Sequence, residues 1–476
     1  MRLFFAFFLL STMVYAFDQP LDGFAASQMY NVYVNGEKLF VARTDTFDFC
    51  SVDVDSVLHV RIETAQDLRW VDIRPKFDNI DFDYTNHSIS FHLDAPAQLS
   101  VELNGESTHP LYLFANPPFS PDPEIYKDAL VFERGLYEPG EIQLQSDQTV
   151  ILEPGAVVRG YFVAEHAENI RIIGRGVVDG SAYSSGRSQP ANRKILLKHC
   201  RDVSIEGIFI VNNPTWTIEP MFCRNVRIEN VKILNHQFGS DGIDMVGCQD
   251  VHIDDSFIRA NDDCVVIKTW GGDEKYPKTP KKGVNVSNIT VRNSVFWNMS
   301  WGNALEIGFE LRADSVRQLL FENCDVIHVD RGAVMSIHNG DYATVCDVTY
   351  RDIRVENADH KLIDLAVFLS QYSLDRHPDP AYREKNYLHG AWDGVQKVPE
   401  GKKQAHAEHR GHIKNIVFEN ISILDGPLPF SVIAGYNQKH AVENVVIDNL
   451  RVYGNKVETR QEAKLNVANA RKLEIR

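Results

Sequence analysis

Long apolar runs are scarce in this chain of 476 residues. After residue 16 it has no uncharged stretch of the roughly 18 to 20 apolar residues that cross a bilayer. The opening segment, MRLFFAFFLLSTMVYA, carries a positive charge at Arg2, an apolar run, and small side chains at Val14 and Ala16. This layout predicts a secretory signal peptide at residues 1–16 and a mature protein that is secreted or periplasmic. The alternative interpretation is a buried first strand.

Basic residues are also few, since 49 Lys and Arg stand against 65 Asp and Glu, for a formal net charge of -16. This balance argues against nucleic acid or an anionic membrane as the main partner. It also disfavours a polyanionic substrate. The length and the 44% hydrophobic content are sufficient for one large core and a smaller domain.

One short phrase recurs nine times from about residue 165 onward, and apolar and polar residues alternate within it as in a β-strand. The shortest repeat periods, 23 and 25 residues, fit one turn of a β-solenoid. We therefore predict an all-β chain whose residues 125–476 form a right-handed parallel β-helix with a continuous stacked core. The fourth residues of the nine copies are Ile170, Val203, Val226, Val251, Ile289, Leu319, Val348, Ile416 and Val445.

Residues 17–115 lack the phrase. They contain short alternating strands, such as YNVYVNGEKLFVAR, which are separated by Gly, Asn and Asp. This pattern predicts an N-terminal antiparallel β-sandwich. The proline-rich segment at residues 116–124 is the expected linker.

The seven cysteines have no metal-ligand spacing, which argues against a zinc site. Cys200, Cys223 and Cys248 occupy the first position of the phrase, where most other copies have Val or Ile. We therefore expect an interior stack of small apolar side chains rather than disulfides. No cofactor and no metal are expected.

The segments that precede successive phrases carry carboxylates. Aligning Ile243, Val265 and Leu305 with either Val334 or Met335 places Asp241 beside Asp263. The same alignment places Asn303 in the next coil. Adjacent coils lie about 4.8 Å apart. Asp241, Asp262 and Asp263 should therefore form a carboxylate cluster on the outer side of a rigid wall, flanked by Asp244 and Glu306.

Mutual repulsion should raise the pKa of at least one carboxyl in this cluster. A protonated acid beside ionised carboxylates is what hydrolysis of a glycosidic bond requires. Three alternatives remain from the residues alone. They are a solvated acidic face or calcium site, a carbohydrate-binding solenoid without turnover, and a polysaccharide lyase. A lyase generally needs a cation together with an Arg or Lys base near a uronate, and no such constellation accompanies the aspartates.

The segments SDGID and NDDCVVIK resemble the polygalacturonase family, glycoside hydrolase family 28, which pairs Asn-Thr-Asp-Gly-x-Asp with Gly-Asp-Asp-Cys one coil later. The stretch NNPTWTI is similar to that family's Ser-Pro-x-Trp, and the resemblance covers roughly residues 125–455. A sandwich joined to such a helix also resembles the dextranase and isopullulanase family 49. The resemblance implies that Asp262 is the general acid, that Asp241 and Asp263 activate water, and that the anomeric centre is inverted.

Two segments depart from the family pattern. Asn303 stands where the family has the histidine of Gly-His-Gly, and Ser336, Ile337 and His338 stand where it has Arg-Ile-Lys. Because the resemblance assigns that cationic pair to a substrate carboxylate, galacturonic acid is disfavoured, unless Arg312, Arg331 or the basic loop takes the place of the pair. A galacturonide, a neutral galactoside and a glucan all stay open. Loops at residues 273–282 and 372–412 favour exo action slightly. The substrate-binding candidates are Asp244, Glu306, Asn303, His338, Lys268, Trp301, Trp270, His236 and Arg312.

Overall fold

The computed structural model describes residues 17, 19–183, 192–272, 281–386 and 400–476. The predicted signal peptide therefore lies outside the described residues, as do residues 273–280 and 387–399 of the two predicted cleft loops. The chain forms two compact units. The first contains the described residues up to Arg74 together with Asp78–Asp122, and the second contains Pro75–Phe77 and Pro123–Arg476. The division at residue 122 falls within the predicted linker.

The first unit is built from two β-sheets with strand orders β1-β4-β5-β11-β10-β7 and β3-β2-β6-β9-β8. Their pairings are antiparallel except for β5 with β11. In β6 the buried Val60 and Ile62 alternate with the exposed or half-buried His59 and Arg61, so one face of this strand enters the core. The strands are β1 Ala25–Ala26, β2 Tyr30–Val34, β3 Glu37–Leu39, β4 Ala42–Arg43, β5 Asp48–Asp53, β6 Leu58–Thr64, β7 Val71–Arg74, β8 Phe82–Tyr84, β9 Ser88–Leu93, β10 Ala97–Leu103 and β11 Glu106–Asn116.

The second unit is a right-handed parallel β-helix, as predicted from the repeats. Its described residues form one continuous set of 31 paired strands. They are β12 Leu130–Phe132, β13 Gly135–Leu144, β14 Thr149–Leu152, β15 Ala156–Glu165, β16 Glu168–Gly174, β17 Val177–Asp179, β18 Ile195–Lys198, β19 Arg201–Glu206, β20 Phe209–Val211, β21 Ile218–Met221, β22 Arg224–Glu229, β23 Lys232–Leu234, β24 Ile243–Val246, β25 Gln249–Asp254, β26 Phe257–Ala260, β27 Val265–Thr269, β28 Val286–Arg292, β29 Val295–Asn298, β30 Leu305–Leu311, β31 Ser315–Val329, β32 Ala333–Asn339, β33 Thr344–Ala358, β34 Lys361–Val367, β35 His412–Glu419, β36 Ser422–Ile423, β37 Phe430–Ala434, β38 Val442–Asp448, β39 Arg451–Val452, β40 Asn455–Lys456, β41 Leu465–Ala468 and β42 Ala470–Ile475.

The recurring phrase forms the strands β16, β19, β22, β25 and β28, which stack in parallel. Val203, Val226, Val251 and Ile289 are direct partners from coil to coil, as the sequence alignment predicts. Their side chains enter the buried core. Cys200, Cys223 and Cys248 are free thiols in the same core, which confirms the interior interpretation.

Helical structure is limited in the described residues. Two short 3₁₀ segments span Lys76–Asp78 and Pro123–Tyr126, and two α-helices, α1 Pro380–Asn386 and α2 Glu400–Ala407, lie between β34 and β35. Within the described part of the chain, none of the helices has the length and apolar character needed to cross a membrane.

Candidate active site

The predicted carboxylates lie at the edge of one stack of parallel strands, β21, β24, β27, β30, β32 and β34, which we call the aspartate wall. In this stack Ile243 pairs with Val265, Val265 with Leu305, and Leu305 with Met335. Asp241, Asp263 and Asn303 each precede these residues by two positions, so they share one column across three coils. The register is the one that the sequence alignment predicts.

The three aspartates meet directly. One carboxylate oxygen from each of Asp241, Asp262 and Asp263 lies within 4.8 Å of the others. Asp241 and Asp263 are only 3% and 4% exposed, whereas Asp262 is half-buried. Backbone hydrogen bonds join the two segments, because Asp262 N–H donates to the Ser240 carbonyl at 3.1 Å and Gly242 N–H donates to the Asp263 carbonyl at 2.8 Å. The cluster is therefore held by the coil stacking itself.

In the next coil, Gly302 packs closely against the backbone of Asp262 and Asp263. Its φ of +66° is accessible to glycine at little cost. A Cβ atom there would lie 2.3 Å from the backbone nitrogen of Asp263 and 2.6 Å from Oδ1 of Asp262. Beside it, the Asn298 side-chain amide donates to the Asp262 carbonyl at 2.7 Å. A glycine at this position permits the close contact that holds Asp262 and Asp263 in place.

Burial and mutual repulsion disturb the titration of the cluster. Burial raises the pKa of Asp241 well above its usual range, and the charges of Asp244, Asp262 and Asp263 add to this effect. Burial likewise raises the pKa of Asp263 to about 7, even though the nearby Lys268 ammonium lowers it. The cluster therefore retains protons near neutral pH, as expected for carboxylates packed side by side.

Lys268 is the cation nearest to the buried carboxylates. Its Nζ lies 3.6 Å from Oδ2 of Asp263 and 3.8 Å from Oδ1 of Asp244. Burial alone would lower the pKa of Lys268, but Asp263 and Asp244 raise it above the usual range. Lys268 is therefore a buried ammonium paired with protein carboxylates.

Comparison with known proteins assigns the family. The family model described as glycosyl hydrolases family 28 matches residues 123–367, which is more than half of the chain. The chain belongs to glycosyl hydrolases family 28. This confirms the family inferred from the two aspartate segments.

Curated relatives of this family 28 chain are distant. A probable polygalacturonase of Vitis vinifera is 29% identical over 110 residues, which is 22% of each chain. A probable exopolygalacturonase B of Aspergillus fumigatus is 26% identical over 220 residues, or 41% of this chain and 45% of the relative. The matched region thus spans less than half the length of these two relatives.

Solved structures share the fold of the family 28 chain. Dex49A from Penicillium minioluteum has a TM-score of 0.65 at 15% identity, with 95% of both chains covered. The family 28 exopolygalacturonase of Yersinia enterocolitica has a TM-score of 0.50 at 13% identity, covering 88% of this chain and 96% of the other. At these identities the two matches show a shared fold.

Beside Asp263, the family 28 chain contains a buried chain of hydrogen bonds and ion pairs. Asn303 donates its backbone N–H to Oδ1 of Asp263 at 2.8 Å, and its side-chain amide donates to Glu306 at 3.0 Å. Glu306 contacts Nδ1 of His338 at 3.0 Å, and Nε2 of His338 lies 3.1 Å from Asp364. Asp364 also accepts a hydrogen bond from Lys361 at 2.6 Å. We call Asn303, Glu306, His338, Asp364 and Lys361 the buried relay.

The charges of the buried relay stabilise one another. Burial alone would lower the pKa of His338, but Glu306 and Asp364 raise it to about 10, so its imidazole is a cation at neutral pH. Glu306 is 0% exposed and His338 is 2% exposed. Asp244 is likewise fully buried. These three predicted substrate-binding side chains therefore contact other protein groups, because the wall packs them beneath the surface.

Two further candidates also lie inside the protein. Trp270 is 2% exposed and packs in an apolar cluster with Met221. Arg312 is 1% exposed. Its guanidinium donates to Asp341 at 3.1 Å and to the Tyr372 carbonyl at 2.8 Å. Trp270 and Arg312 were predicted to contact a substrate. In the structure Trp270 packs against apolar side chains, and Arg312 forms an internal ion pair.

The exposed candidate Trp301 and the neighbouring Phe238 form what we call the aromatic platform. Trp301 is 37% exposed and Phe238 is 58% exposed, and their ring centroids lie 5.3 Å apart in an edge-to-face arrangement. The guanidinium carbon of Arg331 lies 4.8 Å from the Trp301 ring centroid. Phe238 was missed in the sequence, although an aromatic residue three positions before Asp241 in HQFGSD is a usable signal.

The platform is adjacent to the aspartate cluster. The backbone N–H of Trp301 donates to the carbonyl of Asn261, the residue before Asp262, at 3.1 Å. The Asn261 side chain donates in turn to the carbonyl of His236, a half-buried residue, at 2.6 Å. Trp301 and His236 are therefore both hydrogen-bonded to Asn261, in the segment that carries Asp262 and Asp263.

Proposed function

We propose that this family 28 chain is an exported, inverting glycoside hydrolase that acts on a polysaccharide or a derived oligosaccharide. The observation that carries the proposal is the cluster of Asp241, Asp262 and Asp263, two buried and one half-buried, on a rigid wall. Family membership supports a glycosidase. The signal-like pattern of residues 1–16 supports export.

In the proposed reaction, Asp262 donates its carboxyl proton to the glycosidic oxygen as the bond to the anomeric carbon breaks. A water molecule attacks that carbon from the opposite face, and Asp241 or Asp263 accepts a proton from the water. Asp262 suits the acid role because it is the half-buried member and can reach a substrate. The reaction adds one water across the bond and leaves the cluster with the same number of protons.

The proton has to move between substrate-free and substrate-bound states. In the free chain the raised pKa values favour protons on Asp241 and Asp263. A bound sugar would cover Asp262, and desolvation would then favour the neutral form of this carboxyl. The acid role of Asp262 follows the family pattern, and this redistribution within a coupled cluster makes the role compatible with the electrostatics.

Inversion is proposed from the family pattern rather than from the carboxylate spacing. In other glycosidases the carboxyl groups are about 5 to 5.5 Å apart for retention and about 6.5 to 9.5 Å apart for inversion. The closest oxygens here lie within 4.8 Å of one another. Two buried carboxylates that both contact one water molecule would favour direct attack by that water, and hence inversion. The anomeric configuration of the first product decides between inversion and retention.

The aromatic platform is the proposed surface for a sugar unit next to the cleaved bond. Exposed aromatic rings present large apolar surfaces that match the C–H faces of pyranose rings. Trp301 and Phe238 are exposed and adjacent to the cluster through Asn261. The platform would therefore position the chain, while the aspartates act on the bond.

The test is a panel of plant, algal and microbial glycans, with detection of the released sugar and of its first anomer by proton NMR. We expect reducing ends to appear with inverted configuration. A retained configuration would contradict the water mechanism. Binding to a glycan without release from any member of the panel would favour a non-catalytic carbohydrate-binding solenoid instead.

A further inference from the structure

The buried cations of the aspartate wall are already paired with protein carboxylates. Lys268, whose side chain is 5% exposed, lies between Asp244 and Asp263. His338, 2% exposed, lies between Glu306 and Asp364, at 3.0 and 3.1 Å. Each of these cations thus has two carboxylate neighbours, so a ligand carboxylate would have to compete with both.

The same pairing holds in the coil before the wall and in its last strand. Arg193, two coils before Asp241 in the same column, donates from Nε to Glu219 at 2.7 Å. Lys361, whose side chain is 2% exposed, contacts Asp364 at 2.6 Å. The cationic positions along the described wall therefore serve internal ion pairs.

Carboxylates outnumber these cations. In the described strands of the wall and in the two segments of the aspartate cluster, the carboxyl groups are Glu219, Asp241, Asp244, Asp262, Asp263, Glu306, Glu310 and Asp364, against the cations Lys268, His338 and Lys361. Raised pKa values favour protons on Asp241, Asp244 and Asp263, but the remaining carboxylates still outnumber the cations. An anionic sugar would therefore enter a site without surplus positive charge. This adds to the repulsion expected from a chain of net charge -16.

We propose that the sugar unit bound on the aspartate wall is neutral, so that the substrate is a neutral glycan rather than a uronate polymer. This inference rests on the proposed hydrolase function. Binding a carboxylate in such a site requires a cation to offset its desolvation. Taking His338 or Lys268 for this purpose would leave a buried protein carboxylate uncompensated, which is strongly destabilising. The hydroxyls of a neutral sugar can instead donate hydrogen bonds to the carboxylates.

Arg331 is a second cation that could bind a substrate carboxylate. Its guanidinium lies over Trp301 on the exposed platform. If Arg331 bound the carboxylate of a uronate, the protein would prefer anionic substrates. This possibility is an outcome of the test below.

The test compares substrates that differ only in charge. Galacturonan oligosaccharides and their carboxyl-reduced counterparts share linkage and length, and glucans and galactans extend the neutral set. We expect kcat/KM on the cleaved neutral glycan to exceed that on uronate oligosaccharides by roughly 100-fold, the scale of breaking a buried ion pair. A preference for uronates would overturn the inference. Loss of that preference in Arg331→Gln would locate its origin on the platform.

Two variants test the role of the ion pairs. Glu306→Gln leaves His338 with one carboxylate neighbour, so the ratio of uronate to neutral activity should rise. Glu322→Gln is the matched control. Glu322 lies in the neighbouring strand β31, and its carboxylate pairs with Arg351 of β33 at 3.1 Å. The control should leave the ratio unchanged. An unchanged ratio in Glu306→Gln, in a folded variant, would contradict the argument.

Failure of the inference can be separated from failure of the proposed function. Turnover with a preference for uronates removes the inference and leaves the hydrolase function intact. If wild type cleaves no glycan, the function fails, and calorimetric binding of neutral and uronate oligosaccharides to wild type still decides the inference. Tighter binding of the uronates would then overturn it.

Discussion

Replacing Asp263 by Asn should stabilise the protein near neutral pH while removing activity. Asp263 is 4% exposed, and burial raises its pKa from 3.8 to about 7. At roughly 1.4 kcal/mol per pH unit, this rise corresponds to about 4 kcal/mol of lost stability once the carboxyl is ionised in the folded state. Asn retains an oxygen that can accept the Asn303 N–H and has no charge to bury.

The sign of this effect depends on pH. Well below pH 3.8 the carboxyl is protonated in both the folded and the unfolded state, so wild type and Asp263→Asn should have similar free energies of unfolding there, and nearly similar ones at pH 4. From pH 4 to 7 the folded state binds more protons than the unfolded state, so wild-type stability falls as pH rises. The advantage of the variant should therefore grow over this window and be constant above it.

The assay is urea unfolding at pH 4 and pH 8, followed by tryptophan fluorescence. Five of the six tryptophans belong to residues 216–392, so the signal reports mainly the β-helix. We expect a gain of up to about 4 kcal/mol at pH 8, with turnover lost. Asp314→Asn, at a position whose side chain is 59% exposed, is the control and should show little change. An equal or lower stability of Asp263→Asn at pH 8 would refute the reasoning.

Two further predictions concern the residues around the cluster. His338→Gln leaves the Glu306 charge uncompensated, which should raise the pKa of Asp263 and move the acidic limb of the kcat/KM profile to higher pH by about one unit. Glu306→Gln removes that charge and should move the limb to lower pH. Shifts of the same sign in the two variants would contradict the coupling to Asp263. Trp301→Ala should raise KM by about fivefold to tenfold with little change in kcat, the scale of one aromatic contact. Trp70→Ala, at a 57% exposed position in the sandwich unit, should leave KM unchanged, and equal effects of the two variants would argue against the platform.

The scaffold could be predicted from the sequence because its pattern is local and repeated. In β22 the buried Val226 and Ile228 alternate with the exposed Arg227 and Glu229, and the same positions stack in the neighbouring coils. Parallel stacking then fixes which residues of adjacent coils meet. The column of Asp241 and Asp263 follows from this rule without further information.

The surroundings of the cluster could not be predicted in the same way. Alternation indicates that Glu306 and His338 point away from the core of the helix, which suggested contact with a substrate. It does not indicate which groups from other coils cover them. The partners of His338 lie 32 and 26 residues away in the chain, at Glu306 and Asp364, so their ion pairs emerge only from the three-dimensional structure.

The most direct test of the central claim is the hydrolysis rate of Asp262→Asn on a glycan that wild type cleaves, with folding checked by circular dichroism. Loss of a positioned general acid typically reduces the rate by about 10² to 10⁴. We predict a loss at least this large in a folded protein. A variant that hydrolyses the same glycan at the wild-type rate would contradict the assignment of Asp262 as the general acid.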